Sequence, residues 1–524
     1  MSYDYEALQN GSDIRGIAME GVPGESVNLD ETAVSRIARS FLYWLSNRTG
    51  KNPSEITVAV GRDSRLSGEG LAEVFVNTLV EKGARALNCG LASTPAMFMS
   101  TRFPDFEADG AVMITASHLP WNRNGLKFFT VDGGLDKGDI TDLILFAESE
   151  QILARLPMAG KGSREDADLM SAYSAHLREL ILSGTGSAEG DQPLSGMKIC
   201  VDAGNGAGGF YATDVLAPLG ADISASQFLD PDGHFPNHAP NPENKEAMKA
   251  ITTKVIEAAC DLGLIFDTDV DRASAVDEQG RPISRNGIVA MAAALIADQH
   301  PGTTVVTDSV TSDELHDYLE GTLGLKHLRF KRGYRNVINK SIELNRAGTD
   351  SQLAIETSGH AAYKDNYFLD DGAFLATRIV VRAARLFREG KPISSVLTGL
   401  KEPEESIEVR LPITSSAFSA TADMALDAVK TWVETSGASV AFTPISPNSD
   451  SLESLSFEVV TPNYEGIRVR YRGQYSGWFL LRKSLHDPIL PLNIESDRAG
   501  GCLVIRALLG SVLSQVPGVD TSKL

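Results

Sequence analysis

ITASHLPWNRNGLKFF, residues 114–129, is the stretch on which the reading of this chain turns. Ahead of it, Ala111-Val112-Met113-Ile114 is a short apolar run of the kind that forms a buried strand, and it stops abruptly at Thr115-Ala116-Ser117-His118. A small polar residue at such a strand end lies where open α/β sheets bind ligands. Lys127 follows ten residues after Ser117, close enough in sequence to return to the same place and neutralise an oxyanion. Pro120, Asn122, Asn124 and Gly125 spell a turn between them. Alone, a Ser-His pair at a strand end is a strand end and a turn. A second segment gives it weight.

That segment is LGLIFDTDVDRA, residues 262–273. A buried apolar run leads into Asp267, Asp269 and Asp271 at strict alternation, with Arg272 after them. Positions i, i+2 and i+4 of an extended chain share one face. Three carboxylates on one face repel each other unless a cation or proton settles them. A hard divalent ion such as Mg²⁺ does so, taking oxygen ligands and sharing them with a substrate phosphate. Asp267, Asp269, Asp271 and Glu278 also fall at positions 1, 3, 5 and 12 of an EF-hand loop. That reading fails because position 6 is Arg272, where the sharp turn needs glycine, and because the flanks read as strands.

At 524 residues the chain exceeds one core, so several domains are expected. Hydrophobic content of 42% and charged content of 22% are ordinary for a globular protein. The 48 basic and 69 acidic residues give −21, which argues against a general nucleic-acid surface. Local cations still permit anionic substrates. Cys89, Cys200, Cys260 and Cys502 are widely spaced and form no CxxC, which favours reduced thiols over a disulfide framework. No apolar run approaches the ~20 residues of a membrane span. The opening MSYDYEALQN is acidic and polar, unlike a signal or transit peptide, so a cytoplasmic protein is expected.

A repeated plan runs along the chain. Thr57-Val58-Ala59-Val60 leads into Gly61-Arg62-Asp63-Ser64-Arg65, Lys198-Ile199-Cys200-Val201 into Asp202-Ala203-Gly204-Asn205-Gly206, and Thr304-Val305-Val306-Thr307 into Asp308-Ser309. Helical patterns occur nearby, at 71–82 and 288–298. Strand, polar loop and helix recurring three times predict three α/β units with mainly parallel sheets. SGTGSAEGDQPLS, residues 183–195, reads as a linker closing the first domain. A second boundary is expected at 299–303, and after Lys401-Glu402-Pro403-Glu404-Glu405 alternating strands such as 406–411 and 466–471 predict a final α+β domain. The predicted domains are 1–190, 191–300, 301–404 and 405–524.

Several loops carry two readings. The segment 61–65 is either a surface turn or, as favoured here, support for Ser117. The glycines of 202–209 lack GxGxxG spacing and are read as shaping a turn into a helix. His234 and His238, in the proline-rich loop 231–243, are read as structural rather than as metal ligands. The basic cluster Lys331-Arg332-Gly333-Tyr334-Arg335 is either a solvated helix start or a sugar-phosphate contact.

The motifs together resemble a family, the α-D-phosphohexomutases. TASHLP with NGLK after it resembles that family's active-site serine loop, TASHNP…NG.K, and DTDVDR resembles its metal loop, DGDGDR. Glu356-Thr357-Ser358-Gly359-His360 is similar to the sugar-binding GE.SGH loop, and Arg482-Lys483-Ser484-Leu485-His486-Asp487-Pro488 stands where the family keeps its phosphate loop, RPSGTEP. Ser12-Asp13-Ile14-Arg15-Gly16 resembles its N-terminal TDGIRG. The resemblance spans essentially the whole chain with the motifs in family order. It implies three similar α/β/α domains and a smaller fourth around a central cleft.

It also implies a phosphohexomutase that moves phosphate between C1 and C6 of glucose or mannose phosphate through phospho-Ser117 and a hexose 1,6-bisphosphate. Ser117, Asp267, Asp269 and Asp271 would hold Mg²⁺. Arg15, Lys127 and Arg272 would surround the transferring group, with Lys127 or His360 accepting the proton. Glu356 and Ser358 would hold sugar hydroxyls, Arg482 and Ser484 the distal phosphate, and Gly333 and Arg335 would join them at the substrate. Hexose phosphates are the expected partners, and a monomer or homodimer the expected state. The departures are Leu119 in the serine loop, Thr268 and Val270 for the metal-loop glycines, and Leu485-His486-Asp487-Pro488 for GTEP. They mark a divergent branch with altered distal-phosphate binding. They also keep two alternatives open, a hexose 1,6-bisphosphate synthase and an inactive sugar-phosphate sensor; intact Ser117, Lys127 and aspartates count against the latter.

Overall fold

The computed structural model describes residues 4–156, 161–435, 440–442, 453–484 and 487–524. The chain forms two compact units, Met1–Ile296 with Gln352–Thr398, and Ala297–Ser351 with Gly399–Leu524.

The first unit is built on a mixed sheet in the order Gln9–Asn10, Asp13–Ile17, Arg123–Thr130, Gly110–Ile114, Thr57–Arg62, Arg85–Leu91, Ser163–Asp166. Thr57–Arg62 pairs in parallel with Gly110–Ile114 and Arg85–Leu91, and their β-branched and small apolar residues are buried on both faces. Arg123–Thr130 runs antiparallel to Gly110–Ile114 and to Asp13–Ile17. Helix Glu31–Thr49 covers one face. Asp30 caps its start by accepting from Ala33 N, left-handed Gly50 ends it, and Val34, Ile37, Phe41 and Leu45 point into the core.

A second sheet pairs Ile199–Asp202 in parallel with Leu262–Phe266, and Ala273–Val276 turns back antiparallel beside the latter. Helix Lys245–Ala258 buries Ile251 and Val255 against it. Leu353–Ile355, Ala361–Tyr363 and Leu369–Asp370 form an antiparallel trio that feeds helix Gly372–Arg388, capped by Asp371.

The linker expected at 183–195 is ordered structure. Helix Leu169–Thr185 continues through Ser183 and Gly184 before left-handed Gly186 ends it, and Leu194 is fully buried. Gly184 serves packing rather than flexibility: a Cβ there would sit 2.8 Å from the Val381 methyls of the neighbouring helix. Composition alone does not separate that use of glycine from a linker's.

The second unit pairs Thr304–Thr307 in parallel with Lys326–Arg329, followed by helix Tyr334–Arg346. It continues as an antiparallel sheet in the order Glu405–Pro412, Ile489–Ser496, Gly477–Leu481, Ile467–Gly473, Glu453–Val459, Val440–Phe442, packed on helices Phe418–Thr435 and Gly501–Leu513. Buried Arg468 ties the two parts together. It lies 3.7 Å above the Trp478 ring and donates to Ser309 O, Thr311 O and the Asp313 carboxylate. Among the described residues no helix is long and apolar enough to cross a membrane.

Candidate active site

Ser117 follows the strand Gly110–Ile114 and sits in the left-handed region at φ 50°, an uncommon conformation for a residue with a side chain. Three groups hold it there. Thr115 Oγ1 accepts from Ser117 N at 2.9 Å and donates to Asp63 Oδ2 at 2.6 Å. Arg65, fully buried, donates to four loop carbonyls: Pro120 O at 2.8 Å, Arg123 O at 2.9 Å, Leu119 O at 2.6 Å and Ser117 O. Asp63 holds Arg65 in turn through its backbone N–H at 2.9 Å and an ion pair at 3.4 Å. Burial pushes the Asp63 carboxyl up to about 6 although Arg65 pulls the other way. The segment 61–65 is therefore a buried brace for the serine loop, not a surface turn.

The register of Arg123–Thr130 places Lys127 opposite Met113 and Gly125 opposite Arg15. Gly125 is required by close approach, since a Cβ would lie 2.3 Å from Ile14 O. Arg15 Nη2 pairs with Asp13 at 2.9 Å. Lys127 Nζ donates to Asp269 Oδ2 at 2.8 Å and to Asp271 Oδ2.

The three aspartates converge, but not as an extended run. The strand ends at Phe266 and residues 267–271 turn: Val270 N donates to Asp267 O and Val270 takes φ 67°. Alternating carboxylates thus meet because the turn gathers them, and the single-face argument from an extended chain does not apply. Arg272 reaches back across the turn. Its Nε and Nη2 donate to Asp267 Oδ2 at 3.0 and 2.9 Å, and Nη2 also donates to Ser117 Oγ at 3.1 Å and His118 Nδ1 at 2.8 Å. Ser117 Oγ is 3.2 Å from Asp267 Oδ2. Burial, then the Asp271 charge, push Asp267 above the usual carboxylate range, while Lys127, His360 and Arg272 hold Asp271 below it against burial.

The donor set fits a hard divalent ion. One oxygen of each of Asp267, Asp269 and Asp271 lies within 4.8 Å of the others, and all three residues are buried. Asp269 Oδ1 and Asp271 Oδ1 are buried and accept no hydrogen bond. Buried carboxylate oxygens left in that state are costly unless a cation takes them.

Glu356 and Ser358 are buried just beyond the strand Leu353–Ile355, in a turn where Gly359 N donates to Glu356 O. Gly359 takes φ 93°, and a Cβ there would lie 2.5 Å from Ala273 O. The turn thereby seats His360 beside Arg272 in a short antiparallel bridge. His360 Nδ1 is 3.8 Å from Asp271 and hydrogen-bonds Asp370. Against the desolvation of burial, Asp370 and Asp271 raise His360 to about 9.

Ser117, Lys127, Arg15, Arg272, His360, Glu356, Ser358 and the three aspartates all belong to the first unit. Gly333, Arg335, Arg482 and Ser484 belong to the second. There Gly333, at φ 113°, opens helix Tyr334–Arg346, whose second residue is Arg335. Ser484 Oγ accepts from Asp487 N at 3.2 Å. Burial, offset by Glu465, lowers Arg482 from its usual range. Glu465 accepts from Arg332 N at 3.2 Å and from Ser309 Oγ. Leu485 and His486 lie outside the described residues.

The sequence reading missed Asp370, Thr94 and Asn241. Asp370 pairs with His360, Thr94 hydrogen-bonds Asp269, and Asn241 accepts from Arg272 Nη1 at 3.2 Å. Their only sequence signals are an Asp pair before the helix at Gly372, a Ser-Thr-Pro helix start, and a proline-flanked asparagine.

Three family descriptions match the chain in order. They are Phosphoglucomutase/phosphomannomutase, alpha/beta/alpha domain I over residues 7–150, domain II over 172–280 and domain III over 284–402. A phosphomannomutase/phosphoglucomutase of Pseudomonas aeruginosa is 29% identical over 488 residues, covering 92% of this chain and 91% of that protein. A phosphoglucosamine mutase of Syntrophus aciditrophicus is 30% identical over 384 residues, covering 72% and 79%. The crystal structure of a phosphoglucomutase/phosphomannomutase family protein from Burkholderia thailandensis superposes with a TM-score of 0.73 at 26% identity, covering 97% of this chain and 98% of that one. The chain belongs to the phosphoglucomutase/phosphomannomutase family, the α-D-phosphohexomutases. It is thus an enzyme of the phosphotransferring isomerase class, with three α/β/α domains of mixed sheets and a C-terminal domain built on an antiparallel sheet.

Proposed function

We propose that this enzyme moves a phosphoryl group between C1 and C6 of glucose or mannose phosphate, with phospho-Ser117 as donor and a hexose 1,6-bisphosphate as intermediate. The supporting observation is the setting of Ser117 Oγ, 3.1 Å from the Arg272 guanidinium and 3.2 Å from Asp267, in a cluster where Asp269 Oδ1 is buried and accepts no hydrogen bond. The relatives' names supply the sugars: phosphomannomutase, phosphoglucomutase and phosphoglucosamine mutase are said of those proteins.

In this reading the bond from phosphorus to Ser117 Oγ breaks as one forms to the free sugar hydroxyl. The hydroxyl proton passes to Lys127 or His360, whichever has first given up the proton that its neighbouring carboxylates favour. Arg272 stays on Ser117 Oγ and offsets the negative charge left there. Arg15 and Lys127 supply further positive charge around the phosphoryl oxygens. The bisphosphate then turns over and returns its other phosphate to Ser117. Asp267, Asp269 and Asp271, with a phosphoserine oxygen, would hold Mg²⁺, which neutralises charge on the transferring group when bound. Glu356 and Ser358 would hold sugar hydroxyls through charge-assisted and neutral hydrogen bonds. Arg482, Ser484, Gly333 and Arg335 would serve the distal phosphate and sugar, within a division into domains 1–190, 191–300, 301–404 and 405–524.

The test is direct. Purified protein, Mg²⁺ and a trace of hexose 1,6-bisphosphate are mixed with glucose 1-phosphate or mannose 1-phosphate and followed by phosphorus NMR. The corresponding 6-phosphate should appear and the Ser117→Ala variant should produce none. Turnover unaffected by Ser117→Ala, or no conversion of any hexose phosphate, would overturn the reading.

A further inference from the structure

We propose that Thr94 is a positioning residue for the metal site, acting through Asp269; this rests on the metal role read for the three aspartates. Thr94 opens the short helix Thr94–Met99, whose start Ser93 caps by accepting from Ala96 N. It is distant in sequence from the metal loop, yet it makes two contacts with one residue of it. Thr94 N donates to Asp269 O at 2.8 Å, and Thr94 Oγ1 donates to Asp269 Oδ2 at 2.5 Å. A carboxylate only accepts, so the hydroxyl proton points at Oδ2. Both residues are buried.

The consequence falls on the other oxygen. Oδ2 also accepts from Lys127 Nζ at 2.8 Å, so two donors from different elements converge on it. Oδ1 accepts nothing and is buried, and Asp269 belongs to the cluster in which one oxygen of each of the three carboxylates lies within 4.8 Å of the others. With Lys127 alone the carboxylate can rotate and give either oxygen to the ammonium. With Thr94 as well, only one orientation satisfies both donors, and it leaves Oδ1 for the cation. The backbone bond fixes the chain at Asp269, one residue before left-handed Val270, where a β-branched side chain makes that conformation costly. Outer partners that orient a ligand are worth ~10–100-fold in metal affinity.

The experiment is Mn²⁺ titration of the whole protein without substrate, by calorimetry or electron paramagnetic resonance, beside melting curves in chelator. Thr94→Val keeps the shape and the backbone bond but deletes the hydroxyl; Thr94→Ala does the same job if valine is not accommodated. The expected result is a ~10–100-fold weaker Mn²⁺ affinity for these variants and near-native affinity for Thr94→Ser, with metal-free melting little changed. Native affinity in Thr94→Val overturns the proposal. So does a loss that Thr94→Ser fails to restore, because a packing defect would then be its cause. If the unmodified protein binds no Mn²⁺ while Asp269→Asn behaves identically, the metal reading itself is what falls.

Discussion

Asp269 Oδ2 accepts from Thr94 and Lys127, while its buried Oδ1 accepts no hydrogen bond. Asp269→Asn removes the charge of a proposed metal ligand, and turnover should fall by roughly 10²-fold or more. The fold should survive, since repulsion among the three carboxylates also falls; full activity in the variant, or in excess chelator, would exclude the metal role. His238 gives a prediction in pH. Its Nδ1 faces Ala239 O at 3.0 Å and its Nε2 faces the Asp202 carboxylate at 3.0–3.1 Å. Both partners only accept, so both ring nitrogens carry protons, and Asp202 raises His238 above its usual value although burial opposes this. A raised folded value means stability that is full below the unfolded value of about 6.5 and lost as pH rises through the folded one. The stability gap between the protein and His238→Gln should shrink on going from pH 6 to 9, measured by urea unfolding; a gap that widens would mean His238 is neutral. These residues differ in how legible they were. Ser117, Lys127 and the aspartates announce themselves by type and spacing, whereas Asp370 meets His360 across a turn and Thr94 meets Asp269 from a distant element, and neither carries a local signature of its partner.

Strand ends were readable at the scale of elements because β-branched runs stop at polar residues, as at Ile114 and Phe266. The path of the chain beyond them was not. The turn at 267–271 depends on Val270 taking a conformation its side chain disfavours, and the helix through Gly184 depends on a partner helix remote in sequence. The brace at 61–65 makes a sharp prediction. Arg65→Met leaves Asp63 buried without its cation and four carbonyls without a shared donor. Breaking a buried pair this way costs about 3–5 kcal/mol, and phosphorylation of Ser117 should fall with it. Unchanged stability would show that the loop holds itself. The distal loop makes another. Leu485 and His486 stand where the family has glycine and threonine, so one or two phosphate hydrogen bonds are expected to be lost, at ~1.5–3 kcal/mol each. Bisphosphate release should then be measurable and mutase turnover dependent on added bisphosphate, and Leu485→Gly with His486→Thr should reduce both. More than about 10³ turnovers without added bisphosphate, and none released, would contradict it.

Across the whole molecule, Asp267, Asp269, Asp271 and Ser117 belong to the first compact unit, and Arg482 and Ser484 belong to the second. Two cores of this kind need not melt together. Calorimetry should resolve more than one transition, and Mn²⁺ or Mg²⁺ should raise the one belonging to the first unit, by about 2.7 kcal/mol at a hundredfold excess over Kd. A single transition shifted as one would mean the units unfold together. The chain is acidic overall, at −21, and the buried acids beside Ser117 are met by cations: Lys127 pairs with Asp269 and Asp271, Arg272 with Asp267, and His360 with Asp370.

Ser117 as carrier of the phosphoryl group is open to peptide mass spectrometry of the protein after brief exposure to glucose 1,6-bisphosphate and Mg²⁺. The peptide containing Ser117 should gain one phosphoryl group, lose it when a hexose monophosphate is supplied, and stay unmodified in Ser117→Ala. A protein that interconverts hexose phosphates while Ser117 stays unmodified would contradict it.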